Sequence, residues 1–134
     1  MDADDRHYRE SLDLLSTHPG PLLVPSLVVT EVAYLLGSRL GPEAEVRFLG
    51  DLASGAFIVE AVAAGDWLRI AELVWQYRDL PLGTVEASLV AAAERLGVQD
   101  LATFDRRHLS VVRPAHTAAF NLLPRPILAS WPAR

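Results

Sequence analysis

The chain has 134 residues, of which 51% are hydrophobic, a formal net charge of −5 and no cysteine. That length and apolar content predict one globular domain with a true core rather than a disordered chain, and the lack of cysteine excludes a disulfide framework or a thiolate metal centre and suits a cytoplasmic setting. The acidic balance argues against non-specific nucleic-acid binding by the whole surface, though not against a local basic patch, and the longest apolar run, around Leu22 to Val29, is broken by Pro25 and too short to span a bilayer.

In chain order, Tyr8, Leu12 and Leu15 recur at helical spacing until "HPGP" at residues 18 to 21 interrupts them, and "LLV" at 22 to 24 reads as a strand ended by Pro25. Residues 26 to 36 predict an apolar helix closed by Gly37. A second helix opens at Pro42 behind Gly41, with Val46, Leu49 and Leu52 facing inward. "AFIVEAV" at 56 to 62 is the next strand, and Asp66 is the expected N-cap of a helix carrying Trp67, Ile70, Val74 and Tyr77. After "DLPLG" at 79 to 83, a helix from Thr84 to Leu96 is stopped by Gly97. Strands at 101 to 104 and within 118 to 124 complete the pattern. Strands alternating with helices imply an α/β fold of three layers around a parallel sheet.

Three carboxylates break this pattern in ways that point to chemistry. Glu31 has Leu27, Val28, Tyr34 and Leu35 as its helical neighbours, so it projects from a face expected to be packed. A charge there is paired or binds metal, and a structural ion pair with Arg39 or Arg69 is the alternative to a ligand role. Glu86 lies in the first turn of its helix, where a carboxylate also meets the helix dipole favourably, but Leu82, Leu89 and Val90 put it on the packed side. Asp105 follows the short strand in "LATFDRRHLSVV", at the edge where parallel sheets bind ligands, although an aspartate there is equally suited to capping a turn. Carboxylates converging on one edge repel each other unless a cation neutralises them, and all-oxygen ligation selects a hard ion such as Mg²⁺ or Mn²⁺. No histidine has the closely spaced partner of a zinc site.

The stretches "DADDRHYRESLDLL", "LLVPSLVVTEVAYLLGSRLGPEAEVRFL", "DLPLGTVEASLVAAAERLGVQDLATFDRRHLSVVRP" and "AFNLLP" together resemble the PIN-domain ribonucleases, specifically the VapC toxins of bacterial toxin–antitoxin pairs. The resemblance covers residues 1–124 as a single PIN-like domain and leaves 125–134 as a C-terminal tail. It implies a PIN-like α/β/α fold with sheet order 3-2-1-4-5 and a Mg²⁺- or Mn²⁺-dependent cleavage of RNA. The family's second, third and fourth acidic residues fall on Glu31, Glu86 and Asp105, and Thr103 falls on the hydroxyl that supports the cluster. Arg106, Arg107, Arg113 and His116 are then candidates for holding the RNA backbone, with solvated surface positions as the alternative. The family also implies a VapB-type antitoxin, which wraps the early helices, and a homodimer.

Two departures from the family pattern bear on activity. Members normally begin with an apolar strand that ends in an Asp-Thr or Asp-Ser step and lies in the middle of the sheet, whereas here Asp2 follows Met1 directly. An upstream start, a strand supplied by another chain, or a rearranged domain each accounts for this, and Asp2, Asp4 or Asp5 stands as a substitute for the family's first aspartate. Glu86 takes a position where aspartate is common, one methylene longer. The competing reading is a catalytically inactive PIN-like module that keeps its antitoxin or dimer interfaces.

Overall fold

Pro25 has no amide hydrogen to continue a ladder, and its φ of −59° and ψ of 143° turn the chain directly from strand into helix. The computed structural model describes residues 22–102 and 109–123. Within these, β1 (Leu22–Pro25) is followed by α1 (Ser26–Leu40), α2 (Pro42–Ser54), β2 (Phe57–Glu60), α3 (Asp66–Gln76), α4 (Thr84–Leu96), β3 (Asp100–Ala102) and β4 (Asn121–Leu123). The expected helix around Tyr8 to Leu15, Thr103, Asp105, Arg106, Arg107, the aspartates at 2, 4 and 5, and the tail 125–134 lie outside the described residues.

Gly37 does not close the first helix, which runs on to Leu40. A Cβ at Gly37 would stand 2.5 Å from Glu45 Oε1 of α2, so the bare glycine leaves room for that side chain. The terminator is Gly41, whose φ of 104° belongs to glycine and whose amide bonds the Leu36 carbonyl at 3.1 Å. Pro42 then opens α2, as its fixed φ and missing N–H favour. The inward face of α2 also differs from expectation: Val46 is 67% exposed and Leu49 is exposed as well, while Ala44, Phe48 and Leu52 point into the core. Phe48 meets Phe57 of β2 with ring centroids 6.0 Å apart, and that contact sets the rotation of the helix.

Asp66 is the first helical residue of α3 rather than its cap, which is Gly65. Burial recurs at Asp66, Ile70 and Leu73, while Trp67 turns outward at 52% exposure. Helix α4 is the most enclosed element, with Ala87, Ser88, Val90, Ala91, Ala92 and Ala93 all buried, and Gly97 ends it in the left-handed conformation at φ 71°. Small side chains let neighbours close on α4 from several sides.

All strand pairing among the described residues is parallel. β1 pairs with β2 in the register Leu22↔Phe57 to Pro25↔Glu60, and β3 pairs with β4 from Asp100↔Asn121 to Ala102↔Leu123. Among the described residues these are two separate pairs. They match the two flanks, 3-2 and 4-5, of the order that the family resemblance implies. Each flank has its own core. Val24, Leu36, Phe48 and Phe57 form one; Ile70, Leu73, Val90, Leu101, Leu109 and Val112 belong to the other. The packing of α1 against α4 joins the flanks. No helix among the described residues is long and apolar enough to cross a membrane.

Candidate active site

Glu31 and Glu86 stand on the two helices that join the flanks. Glu31 is in the second turn of α1, the helix that leaves the carboxyl end of β1, and it is half-buried. Its surroundings are less closed than the sequence implies. Val28 packs on the core, but Tyr34 is 70% exposed, so Glu31 lies on the rim of a packed face and not within it. A rim position spares a carboxylate the full cost of burying its charge.

Glu86 is the third residue of α4, half-buried, and its Oε1 accepts the Gly83 amide at 3.1 Å. This is the helix-start role that its position allows. It does not preclude another role, because an ionised carboxylate offers about four lone-pair sites and capping uses one. Arg69 was, with Arg39, one of the two alternative partners for Glu31. Its three guanidinium nitrogens are engaged instead by Glu94, through Nε at 2.7 Å and Nη2 at 2.8 Å, and by Glu72 through Nη1 at 3.4 Å. Arg113 is exposed, and its Nη1 reaches back to the carbonyls of Ser110, Val111 and Val112 at 3.2 to 3.4 Å. His116 points inward, with Nε2 at 2.7 Å from the Val98 carbonyl and a buried Nδ1, a geometry for fixing a loop and not for meeting a phosphate.

Two ion pairs across α3 and α4 escaped the sequence reading. Glu94, flanked along its helix face by Val90, Ala91 and Val98, satisfies the criterion that singled out Glu31, so the signal was present. Its carboxylate sits almost wholly enclosed against Arg69, whose hydrogen bonds hold its pKa below the ordinary 4.5 despite the opposing desolvation. Asp66, nearly buried, takes Arg95 at 3.1 Å and the Ala63 amide at 3.0 Å, and the Arg95 hydrogen bond likewise holds its pKa below 3.8. Both folded-state values lie below the unfolded ones, so the unfolded chain binds more protons in acid and these contributions, complete above the unfolded values, are lost as pH falls through the folded ones. The urea midpoint is therefore expected to hold steady down to about pH 5 and to fall below it. A midpoint that stays level down to about pH 3 would contradict this assignment.

Comparison with known proteins fits the same architecture. The PIN domain pattern matches residues 1–114, and the chain belongs to the PIN-domain family. It is 31% identical over 124 residues to Ribonuclease VapC26 of Mycobacterium tuberculosis, covering 92% of each chain. Its fold resembles the crystal structure of VapC20, a sarcin-ricin loop cleaving toxin of Mycobacterium tuberculosis, with a TM-score of 0.66 at 23% identity over 80% of this chain and 82% of that one.

Proposed function

We propose that the chain is the ribonuclease toxin of a VapBC-type toxin–antitoxin pair and hydrolyses RNA phosphodiesters with the help of a divalent cation, Mg²⁺ or Mn²⁺. The observation that carries the reading is the pair of half-buried glutamates, Glu31 and Glu86, on helices packed against each other, in a chain 31% identical to Ribonuclease VapC26. Glu31, Glu86 and Asp105 would hold the cation. Their all-oxygen donor set suits a hard ion, and Glu86, with one lone-pair site used in capping, keeps acceptor capacity for it. The bound ion supplies an activated water and neutralises charge developing on the phosphate. The acids fix its place, Thr103 supports them, and Arg106, Arg107 and exposed Arg113 hold the RNA backbone by charge. Asp4 and Asp5 are available for the position of the family's first aspartate. A VapB-type antitoxin as inhibitor, a homodimer and a cytoplasmic setting complete the proposal.

The competing reading is an inactive PIN-like binding module, which keeps the antitoxin or dimer interfaces without cleaving RNA. Cleavage of single-stranded RNA by the purified chain should require Mn²⁺ or Mg²⁺, be abolished by EDTA, and be stronger with Mn²⁺, which tolerates departures from ideal octahedral ligation better. An added N-terminal apolar strand ending in Asp-Thr should raise the rate, and the same strand ending in Asn-Thr should not. Absence of cleavage from all of these chains, with the antitoxin still bound, would establish the binding module instead.

A further inference from the structure

Gly83, the N-cap of α4, stands where the backbone does not demand glycine. Its φ of −85° and ψ of 174° are extended values that any residue adopts. As a cap it is also poorly equipped, because serine, threonine, asparagine or aspartate would offer the helix amides a side-chain oxygen and glycine offers none. Its bareness goes with a neighbour instead. The Glu86 carboxylate folds back to accept the Gly83 amide at 3.1 Å, and a Cβ on residue 83 would stand 2.7 Å from Glu86 Oε1, nearer than two such atoms approach. Gly65, the N-cap of α3, is a matched contrast: its φ is −72°, and a Cβ there would meet nothing within 4 Å.

Both ends of the Gly83–Glu86 bond are held by the core. Leu82, directly before Gly83, is buried in the cluster that contains Ile70, Leu73 and Val90, and its amide donates to the Tyr77 carbonyl at 3.2 Å. Directly after Glu86, Ala87 and Ser88 are buried, and Ser88 Oγ donates to the Val85 carbonyl at 2.6 Å. The Gly83 amide is therefore a fixed point, and a long, rotatable side chain is tied to it at its far end. Glutamate is the length that makes this reach at the third position of a helix. The bond engages Oε1 and leaves Oε2 its acceptor sites.

We infer that Gly83 is a positioning residue for the proposed cation site: its amide ties down one oxygen of Glu86, its missing Cβ leaves room for that carboxylate, and the other oxygen is thereby presented in a fixed place. The inference rests on the proposed ligand role of Glu86. A ligand already tethered loses little freedom when it takes an ion, and removing such a supporting partner commonly costs about 10- to 100-fold in metal affinity or activity.

Two measurements test it. In the first, Gly83→Ala and Gly65→Ala are compared in Mn²⁺ binding by titration calorimetry and in RNA cleavage at limiting Mn²⁺. Neither substitution strains the backbone, so both variants should melt within about 5 °C of the wild type. Gly83→Ala should bind Mn²⁺ about 10- to 100-fold more weakly and cleave more slowly, and Gly65→Ala should match the wild type in both. In a Glu86→Asp background, whose carboxylate is one methylene short of the Gly83 amide, Gly83→Ala should cost nothing further. The second measurement uses the wild-type chain and decides the matter even if Gly83→Ala fails to fold. The Gly83 amide signal in the NMR spectrum should shift as Mg²⁺ is added, because the ion draws charge from the carboxylate that accepts that proton, and the Gly65 amide should not. Unaltered Mn²⁺ affinity in Gly83→Ala, an equal loss in Gly65→Ala or in the Glu86→Asp background, or a Gly83 signal indifferent to saturating Mg²⁺ would overturn the inference while leaving the ribonuclease reading intact. A wild-type chain that binds neither Mn²⁺ nor Mg²⁺ would instead remove the metal-dependent reading, and this inference with it.

Discussion

Glu31→Gln is expected to remove metal-dependent cleavage almost completely while leaving the protein as stable as before or slightly more so. Glutamine keeps the size and most of the hydrogen-bonding capacity of glutamate but loses the charge that a hard cation requires. In the proposed site that charge is a ligand, and misplacing the ion and its water by about 1 Å is enough for a rate loss on the order of 10²-fold. In the proposed site without metal the same charge would repel the other acids, so its removal is expected to relieve that repulsion. Glu31 lies on the rim of its packed face, with exposed Tyr34 one turn away, so no large apolar contact is lost. Cleavage assays with Mn²⁺ and a urea titration of the same preparation check both halves. A fall of several kcal/mol in stability would assign Glu31 to a buried structural ion pair, for which losses of about 3–5 kcal/mol are usual when one partner is removed.

Leu73→Ala should be the most damaging of the simple core truncations. Leu73 has no exposed surface and belongs to the cluster that gathers α3, α4, β3 and the following connection around Val90, Leu101, Leu109 and Val112. Truncating a leucine in such a place removes its transfer free energy and leaves a cavity that rigid neighbours fill only in part, for a cost of about 3 kcal/mol. In a domain of this size that corresponds to a melting temperature lower by about 10 °C. Two positions along the same helix, Trp75 is 68% exposed and carries the Arg78 guanidinium 4.0 Å from its ring centroid. Trp75→Ala should cost well under half as much despite deleting a larger side chain. Calorimetry of the two variants decides the matter, and a larger loss from Trp75→Ala would mean that α3 is covered in solution by something that buries its outer face.

Much of this protein was legible along the chain because the relevant signals are local. The strand before Pro25, the helix opening at Pro42, the helix from Thr84 to Leu96 and the parallel α/β class all follow from periodicity, proline and glycine chemistry within a few residues. Glu31 and Glu86 were found in the same way, as charges out of phase with apolar faces. Other features depended on what lies across from a residue. Gly37 reads as a stop until Glu45 is seen passing over it, and α2 reads as buried through Val46 and Leu49 until the contact of Phe48 with Phe57 rotates it. Glu94 carried the same sequence signal as Glu31, yet only the packing of α3 on α4 makes Arg69 its partner and the Ala115 amide its second one. Composition, spacing and local conformation determined the class, the helices and the candidate acids. Tertiary structure alone decided that Glu94 pairs with Arg69 and Asp66 with Arg95, because a charge's partner is set by groups distant in sequence whose approach no local preference encodes.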